Sequence, residues 1–237
     1  METITYTKRK RLEAVTVCVD YSDYLKHFFT HNLKHFDKLT VVTVERDDAT
    51  IKLCKEYEVK HVCTNRLTER GASFNKGKAL NDGLVTMKNK DWILIIDSDI
   101  ILPSNFKAIY KNTDLKKDCL YGVVRYDCRN PKEWEEFNKL TPKQLKKHRA
   151  GFLGRRIGRY KKIVGYFQLF NINLFKNTNK IYPERYSSAN ISDKMFFQRW
   201  ESEKRHFLEG INVAHLYHDK KIGENWNGRT TKHFDLL

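Results

Sequence analysis

Long apolar runs are missing from this sequence. No stretch approaches the roughly 20 consecutive apolar residues that span a bilayer. Lys8-Arg9-Lys10-Arg11 is not followed by the unbroken apolar region of a signal peptide. Paired cysteines are missing too. Cys18, Cys54, Cys63, Cys119 and Cys128 are odd in number and contain no Cys-x-x-Cys, which argues against both a zinc cluster and a disulfide framework. Cys18 lies inside an apolar strand and reads as core. These absences lead us to expect a soluble protein of a reducing, cytoplasmic compartment. The third absence is local: from Phe137 through Pro183 there is no Asp or Glu.

That acid-free window carries twelve Lys and Arg, against a formal charge of +16 for the whole chain. Codon bias spread evenly would not concentrate charge in this way. Among the cations are Lys143, Lys146, Lys147, Arg149, Arg155, Arg156, Arg159, Lys161 and Lys162, interleaved with Phe152, Tyr160, Tyr166 and Phe167. Gly151, Gly154, Gly158 and Gly165 mark the stretch as loop-rich. Such a composition suits tracking of a phosphate backbone or of lipid headgroups, and equally a solvated loop. The partner expected from the charge is polyanionic: nucleic acid, an anionic membrane surface or a phosphorylated substrate.

With 237 residues, 40% of them hydrophobic, the chain is long enough for one sizeable domain with a real core. After a polar arm at 1–12, the β-branched run Ala14–Val19 reads as a strand ending in Asp20-Tyr21-Ser22. Tyr24–Phe36 has Leu25, Phe28, Phe29, Leu33 and Phe36 at helical spacing. Leu39–Val44 is a second strand, ending at Glu45-Arg46-Asp47-Asp48. A helix over 49–58, a short strand near Val59–Val62, a loop over 71–77 and a helix over Lys78–Met87 follow. The alternation implies a doubly wound parallel α/β sheet. Beyond Pro103 the pattern loosens, with a short helix at Phe106–Tyr110 and strands at Tyr121–Tyr126 and Gly165–Asn171. Ser192 or Asp193 reads as the cap of a late helix containing Met195, Phe196, Phe197 and Trp200.

The stretch Trp92-Ile93-Leu94-Ile95-Ile96-Asp97-Ser98-Asp99 organises the rest. Its aliphatic run reads as a strand buried on both faces. Burying an unpaired carboxylate costs several kcal/mol, so Asp97 and Asp99 are expected at the strand's carboxyl end, where open α/β sheets bind ligands. Two hard oxygen ligands at this spacing suit a divalent ion already held by phosphates; a solvated acidic turn before Pro103 would use the same residues. Three strands, ending at Asp20, Glu45 and Asp97, bring carboxylates to one edge. His215 and His218, three apart, do not make a zinc site on their own.

Asp97-Ser98-Asp99 after an apolar strand resembles the Asp-x-Asp signature of the GT-A glycosyltransferases. The segment Phe74-Asn75-Lys76-Gly77-Lys78-Ala79-Leu80-Asn81-Asp82-Gly83-Leu84 is similar to the loop and helix upstream of that signature in family-2-type members. The resemblance is clearest over 14–106 and continues more weakly in Ser192-Asp193 and the late His-x-x-His. It implies a GT-A (Rossmann-like), mostly parallel sheet flanked by helices, forming one domain over 13–237. In that domain 13–106 would be the nucleotide-sugar half, and 107–237 the acceptor half with the basic segment 137–183. It implies a nucleotide-diphosphate-sugar donor, a UDP-sugar first, with Mn²⁺ or Mg²⁺.

Carried over residue by residue, Tyr21, Glu45 and Asp47 would hold base and ribose, and Asn75 and Lys76 would also serve the donor. Asp97 would approach the ribose or a metal-bound water. Asp99 would ligate the metal directly, with His218 as a further ligand and His215 as its buried partner. Trp226 would wall the closed site, and Asp193 would be the general base, although Ser192 stands where inverting members often carry an acid. Arg155, Arg156, Arg159 and Lys161 are the candidate acceptor-binding residues.

A nucleotidyltransferase of similar architecture would carry a Gly-rich basic loop after the first strand, and Asp20-Tyr21-Ser22-Asp23 takes that place. The expectation is therefore a metal-dependent glycosyltransferase acting on a hydroxyl of a polyanionic acceptor, for example a modified base in DNA. A lipid-linked sugar at a membrane is an alternative acceptor. A non-catalytic nucleic-acid-binding protein built on 137–183 is the alternative outside enzymes.

Overall fold

The computed structural model describes residues 10–87, 91–128, 131–141, 144, 162–176, 178, 180–185 and 188–216. In chain order these form β1 (Leu12–Val17), α1 (Ser22–Asn32), β2 (Lys38–Thr43), α2 (Asp48–Glu56), β3 (Lys60–Cys63) and α3 (Lys76–Leu84). Then come β4 (Trp92–Ile96), β5 (Ile100–Ile101), α4 (Phe106–Asn112), β6 (Leu120–Cys128), α5 (Pro131–Lys139), β7 (Phe167–Asn171), α6 (Ala189–Phe197) and β8 (Arg205–Leu216). All eight strands join one sheet in the order β3-β2-β1-β4-β7-β6-β8-β5.

The run Trp92–Ile96 is buried at every position because both faces of β4 are covered. Leu94 and Ile96 pack into the core that holds Tyr24, Leu25, Phe28 and Phe29 of α1, together with Phe106 and Phe167. Ile93 and Ile95 face the other way, onto Ala79, Leu80 and Leu84 of α3 and Phe170, Tyr182, Phe196 and Trp200. Alternate side chains point to opposite faces, so a strand covered twice must be aliphatic throughout. Each such side chain contributes about 1.5–3 kcal/mol of burial.

The parallel sheet expected from the sequence holds for β3-β2-β1-β4, where Val15 pairs with Ile95 and Val17 with Val42. Beyond β4 the sheet is mixed. β7 runs antiparallel, Ile96 against Phe167, and inserts between β4 and β6. β6 and β8 are parallel, with a register shift between Gly122 and Val124, and β5 lies antiparallel on β8. The reversed β7 has a consequence for the site: its start, not its end, lies beside Asp97, whose N–H donates to Tyr166 O at 3.2 Å.

Three local boundaries differ from the sequence reading. The helix expected over Tyr24–Phe36 is α1 followed by a 3₁₀ turn at Leu33–His35. Asn32, at the junction, donates to Ile100 O at 2.7 Å and accepts from Leu102 N at 2.9 Å, clamping the backbone just after Asp99. α3 starts at Lys76, because Asn75 caps it by accepting from Lys78 N at 3.0 Å. α6 starts at Ala189 with Ser188 at its N-cap, so neither Ser192 nor Asp193 is the cap. Ser188 occupies the N-cap position in extended backbone, with no side-chain cap bond.

Candidate active site on the carboxyl edge of the sheet

The β4 carboxyl end delivers Asp97 and Asp99 to opposite neighbours. Asp97 accepts from Lys76 Nζ at 2.7 Å. The same ammonium lies 3.3 Å from Asp193 Oδ1 and 3.3 Å from Gly165 O. Lys76 is the first residue of α3, whose N-terminus abuts this edge; its side chain is 6% exposed, against 37% for Asp97 and 13% for Asp193. Burial opposes the ammonium charge, and Asp193 and Asp97 more than offset it, so the Lys76 pKa is raised. Loss of water pushes the Asp97 carboxyl above the usual carboxylate range, Lys76 opposes the rise, and Asp99 and Asp193 add to it.

Asp193 sits one turn inside α6 and faces the start of β7. A Cβ on Gly165 would lie 1.9 Å from Asp193 Oδ2, so only glycine admits the carboxylate there. Tyr182 donates its hydroxyl to Asp193 Oδ1 and lies 2.9 Å from Gln168 Oε1. Burial, then the Asp193 charge, hold the tyrosine hydroxyl well above its ordinary pKa. The strap carrying Tyr182 is latched to α3: Asn81 donates to Tyr182 O at 2.9 Å and accepts from Tyr182 N at 2.8 Å. Asn75 donates to Glu184 O at 2.7 Å. Gly77 lets the strap pass, since a Cβ there would meet Pro183 O at 1.9 Å.

Asp99 meets the other half of the sheet. Its Oδ2 lies 3.2 Å from His215 Nε2, and His215 Nδ1 lies 2.8 Å from Asp127 Oδ1. Arg125 Nε also lies 3.2 Å from Asp127 Oδ1, and the Arg125 guanidinium stacks over the Tyr166 ring at 5.0 Å. Register explains the convergence: His215 on β8 pairs with Asp127 on β6 and with Ile100 on β5. Burial opposes protonation of His215, but the Asp99 and Asp127 carboxylates outweigh it, and its pKa is raised. Among the described residues no set of three His, Cys, Asp or Glu side chains forms a ready metal cluster; Asp99 and His215 offer two donors.

The first two strands supply the rest of the edge. Tyr21 stands at the N-cap of α1, half-buried, and Glu45 is exposed after β2. Asp47 is buried and receives three donors from the chain: Asp20 N at 2.8 Å, Thr43 Oγ1 at 3.1 Å and Thr50 N at 3.1 Å. It caps α2 and ties the turn after β1 to the end of β2. Asn75 likewise spends its side chain on the α3 cap and the strap. His218, Trp226, Arg155, Arg156, Arg159 and Lys161 lie outside the described residues.

The structure thus gathers Lys76, Asp97, Asp99, Asp193 and His215 at one edge. It adds Gly165, Tyr182 and Asp127, which the sequence reading passed over. Asp127 carried a usable signal, because it follows Arg125-Tyr126 at the end of a strand, as Asp97 follows Ile96.

No protein-family model and no curated protein matches the chain. Solved structures do. Glucosyl-3-phosphoglycerate synthase from Mycobacterium tuberculosis, in complex with Mn²⁺, UDP-glucose and phosphoglyceric acid, aligns with TM-score 0.53 and 14% identity over 90% of this chain and 73% of its own. The same enzyme with UDP aligns with TM-score 0.53 and 13% identity over 92% and 75%. A structure described only as a mycobacterial protein gives TM-score 0.54 and 14% identity over 92% and 70%. At this identity the likeness establishes the fold. The α/β architecture with a mostly parallel sheet flanked by helices, expected from Asp97-Ser98-Asp99 and its surroundings, is the one this chain adopts.

Proposed function

We propose that the protein is a metal-dependent glycosyltransferase that moves a sugar from a UDP-sugar to a hydroxyl of an anionic acceptor. One observation carries the reading: the Asp-x-Asp carboxylates stand on the carboxyl edge of the sheet, Asp99 against His215 and Asp97 against Lys76. The shared fold supports it, since the M. tuberculosis enzyme is described with Mn²⁺ and UDP-glucose.

The donor set suits the ion. A carboxylate and an imidazole are ligands for Mn²⁺, and two donors of one octahedral ion stand about 3 Å apart, close to the 3.2 Å between Asp99 Oδ2 and His215 Nε2. We assign the histidine ligand to His215, the one beside Asp99, in place of His218. A divalent ion at this position supplies Lewis-acid stabilisation of the departing diphosphate.

The chain's own residues do the rest. Tyr21 and Glu45 border the place for base and ribose, and Asp47 holds that turn in shape. In transfer, the bond from the anomeric carbon to the diphosphate breaks and one to the acceptor oxygen forms. UDP leaves with the electron pair, and the acceptor proton passes to Asp193. Lys76 and Tyr182 orient the Asp193 carboxylate and fix it against Gly165, and a base must be held within hydrogen-bond reach of the proton it takes.

Turnover of a UDP-sugar panel with added Mn²⁺ tests the reading. Asp99→Ala should lower donor turnover on the order of 10²–10³-fold, as loss of other electrostatic stabilisers does; wild-type turnover in that variant overturns it. The charge concentrated over 137–183 supports an anionic acceptor docked there. Reversing Arg155, Arg156 and Arg159 should then weaken acceptor use and spare donor hydrolysis. Equal loss of both sinks that part of the proposal. Offering a small phosphorylated alcohol beside duplex DNA separates the two kinds of acceptor. Salt-sensitive DNA binding that survives loss of both aspartates and needs no metal would favour the non-catalytic alternative.

A further inference from the structure

We propose that Asp127 is a positioning residue for the metal site: it fixes the His215 ring so that Nε2 faces Asp99. The inference rests on the metal-site reading above and adds to it a residue outside the Asp-x-Asp and His-x-x-His patterns.

The geometry has three parts. His215 is held by both ring nitrogens, Nδ1 to Asp127 Oδ1 at 2.8 Å and Nε2 to Asp99 Oδ2 at 3.2 Å. Arg125 Nε lies 3.2 Å from Asp127 Oδ1 as an ion pair without a hydrogen bond, and the Arg125 guanidinium rests on the Tyr166 ring. His215 and Asp127 are buried, each 7% exposed, so water does not replace the partner that either one loses at little cost. The backbone enforces the pairing, because Asp127 and His215 are register partners on adjacent parallel strands.

A neutral imidazole carries one proton. A carboxylate on Nδ1 takes that proton as a hydrogen bond, which leaves the Nε2 lone pair for the ion and fixes the plane of the ring. Histidines that bind metals recurrently use their second nitrogen in this way, and loss of the carboxylate typically costs about 10–100-fold in metal affinity. Arg125 places a cation 3.2 Å from the Asp127 carboxylate without itself touching the ion.

The experiment is a Mn²⁺ titration of the full chain, followed by the electron-paramagnetic-resonance signal of free Mn²⁺, with and without UDP. Thermal unfolding in EDTA is run in parallel. Asp127→Ala should weaken Mn²⁺ binding about 10–100-fold, and Asp127→Asn, which keeps the shape and an accepting oxygen, should fall between Ala and wild type. Should Asp127→Ala unfold early in EDTA, the Asn variant decides the question. Asp99→Ala should lose Mn²⁺ binding altogether. If both Asp127 variants bind Mn²⁺ within twofold of wild type while Asp99→Ala does not, Asp127 has no positioning role and the metal-site reading stands. If wild type binds no Mn²⁺ with UDP present, the metal-site reading falls and this inference falls with it.

Discussion

Replacing Lys76 with methionine keeps most of the side-chain volume and removes the charge, which isolates its electrostatic role. The ammonium is 2.7 Å from Asp97 and 3.3 Å from Asp193. At an effective dielectric near 20, those separations correspond to attractions of about 6 and 5 kcal/mol. Solvent at the partly exposed Asp97 screens its share, and desolvation of the ammonium opposes both. Breaking a buried pair by removing one partner still costs about 3–5 kcal/mol, because the remaining charge is left uncompensated. Lys76→Met should therefore lose about 3–5 kcal/mol in urea unfolding at pH 7. Adding Asp193→Asn should restore part of that loss, as coupled neighbours do in a double-mutant cycle.

Acidification supplies an internal check on the same variant. The folded-state pKa of Asp97 is already raised, and without Lys76 it rises further. The folded variant then takes up a proton at Asp97 before the unfolded chain does, so the Asp97 contribution to its stability grows as pH falls from 7 toward 5. The deficit relative to wild type should narrow over that window. A deficit below about 1 kcal/mol, or one that does not change with pH, would refute the electrostatic account of Lys76; typical single substitutions cost about that much without any special mechanism.

Gly165→Ala should cost about 1–3 kcal/mol as an overpacked site and lower the proposed sugar transfer, because its Cβ would fall 1.9 Å from Asp193 Oδ2; unchanged stability would contradict the placement of Asp193. His35 gives a pH signature far from the site. It is 2% exposed, packs edge-on to Phe106, and its ring nitrogens have no hydrogen-bond partner among the described residues. Burial first, then Lys34 and Lys107, push its pKa down to about 4. The unfolded chain takes up this proton first, so stability should fall between about pH 6.5 and pH 4 by about 3 kcal/mol in all, at about 1.4 kcal/mol per pH unit. His35→Leu should flatten that slope in denaturant titrations.

The half of the fold before Pro103 was legible because each buried parallel strand announces itself as a short aliphatic run with a polar end. The same logic located Asp97 and Asp99 on the carboxyl edge. Applied to the strand read at Tyr121–Tyr126, it also picks out Asp127, the acid that follows it. The second half was not legible in the same way. β8 spans twelve residues, but Gly210 takes a φ of +75° within it. Its ladder with β6 also shifts register at Gly122, so period-two patterning breaks inside a continuous strand. The antiparallel entry of β7 beside β4 depends on pairing across some 70 residues of sequence, which no local pattern carries. The Asp193 site illustrates the same limit: Lys76 is 117 residues away, and its partnership with Asp193 exists only once α3 and α6 have docked on one face of the sheet.

In the proposed function, the carboxyl edge at Asp97 and Asp99 binds a nucleotide diphosphate through a divalent ion. Thermal unfolding with UDP, measured in Mn²⁺ and again in EDTA, on wild type and Asp99→Ala, tests it directly. A ligand at about 100 times its dissociation constant stabilises the native state by about 2.7 kcal/mol, which for a chain of this size raises the midpoint by about 5–10 °C. That rise is expected for wild type with UDP and Mn²⁺ together, little with either alone, and none for Asp99→Ala. An equal rise in EDTA, or in Asp99→Ala, would contradict it.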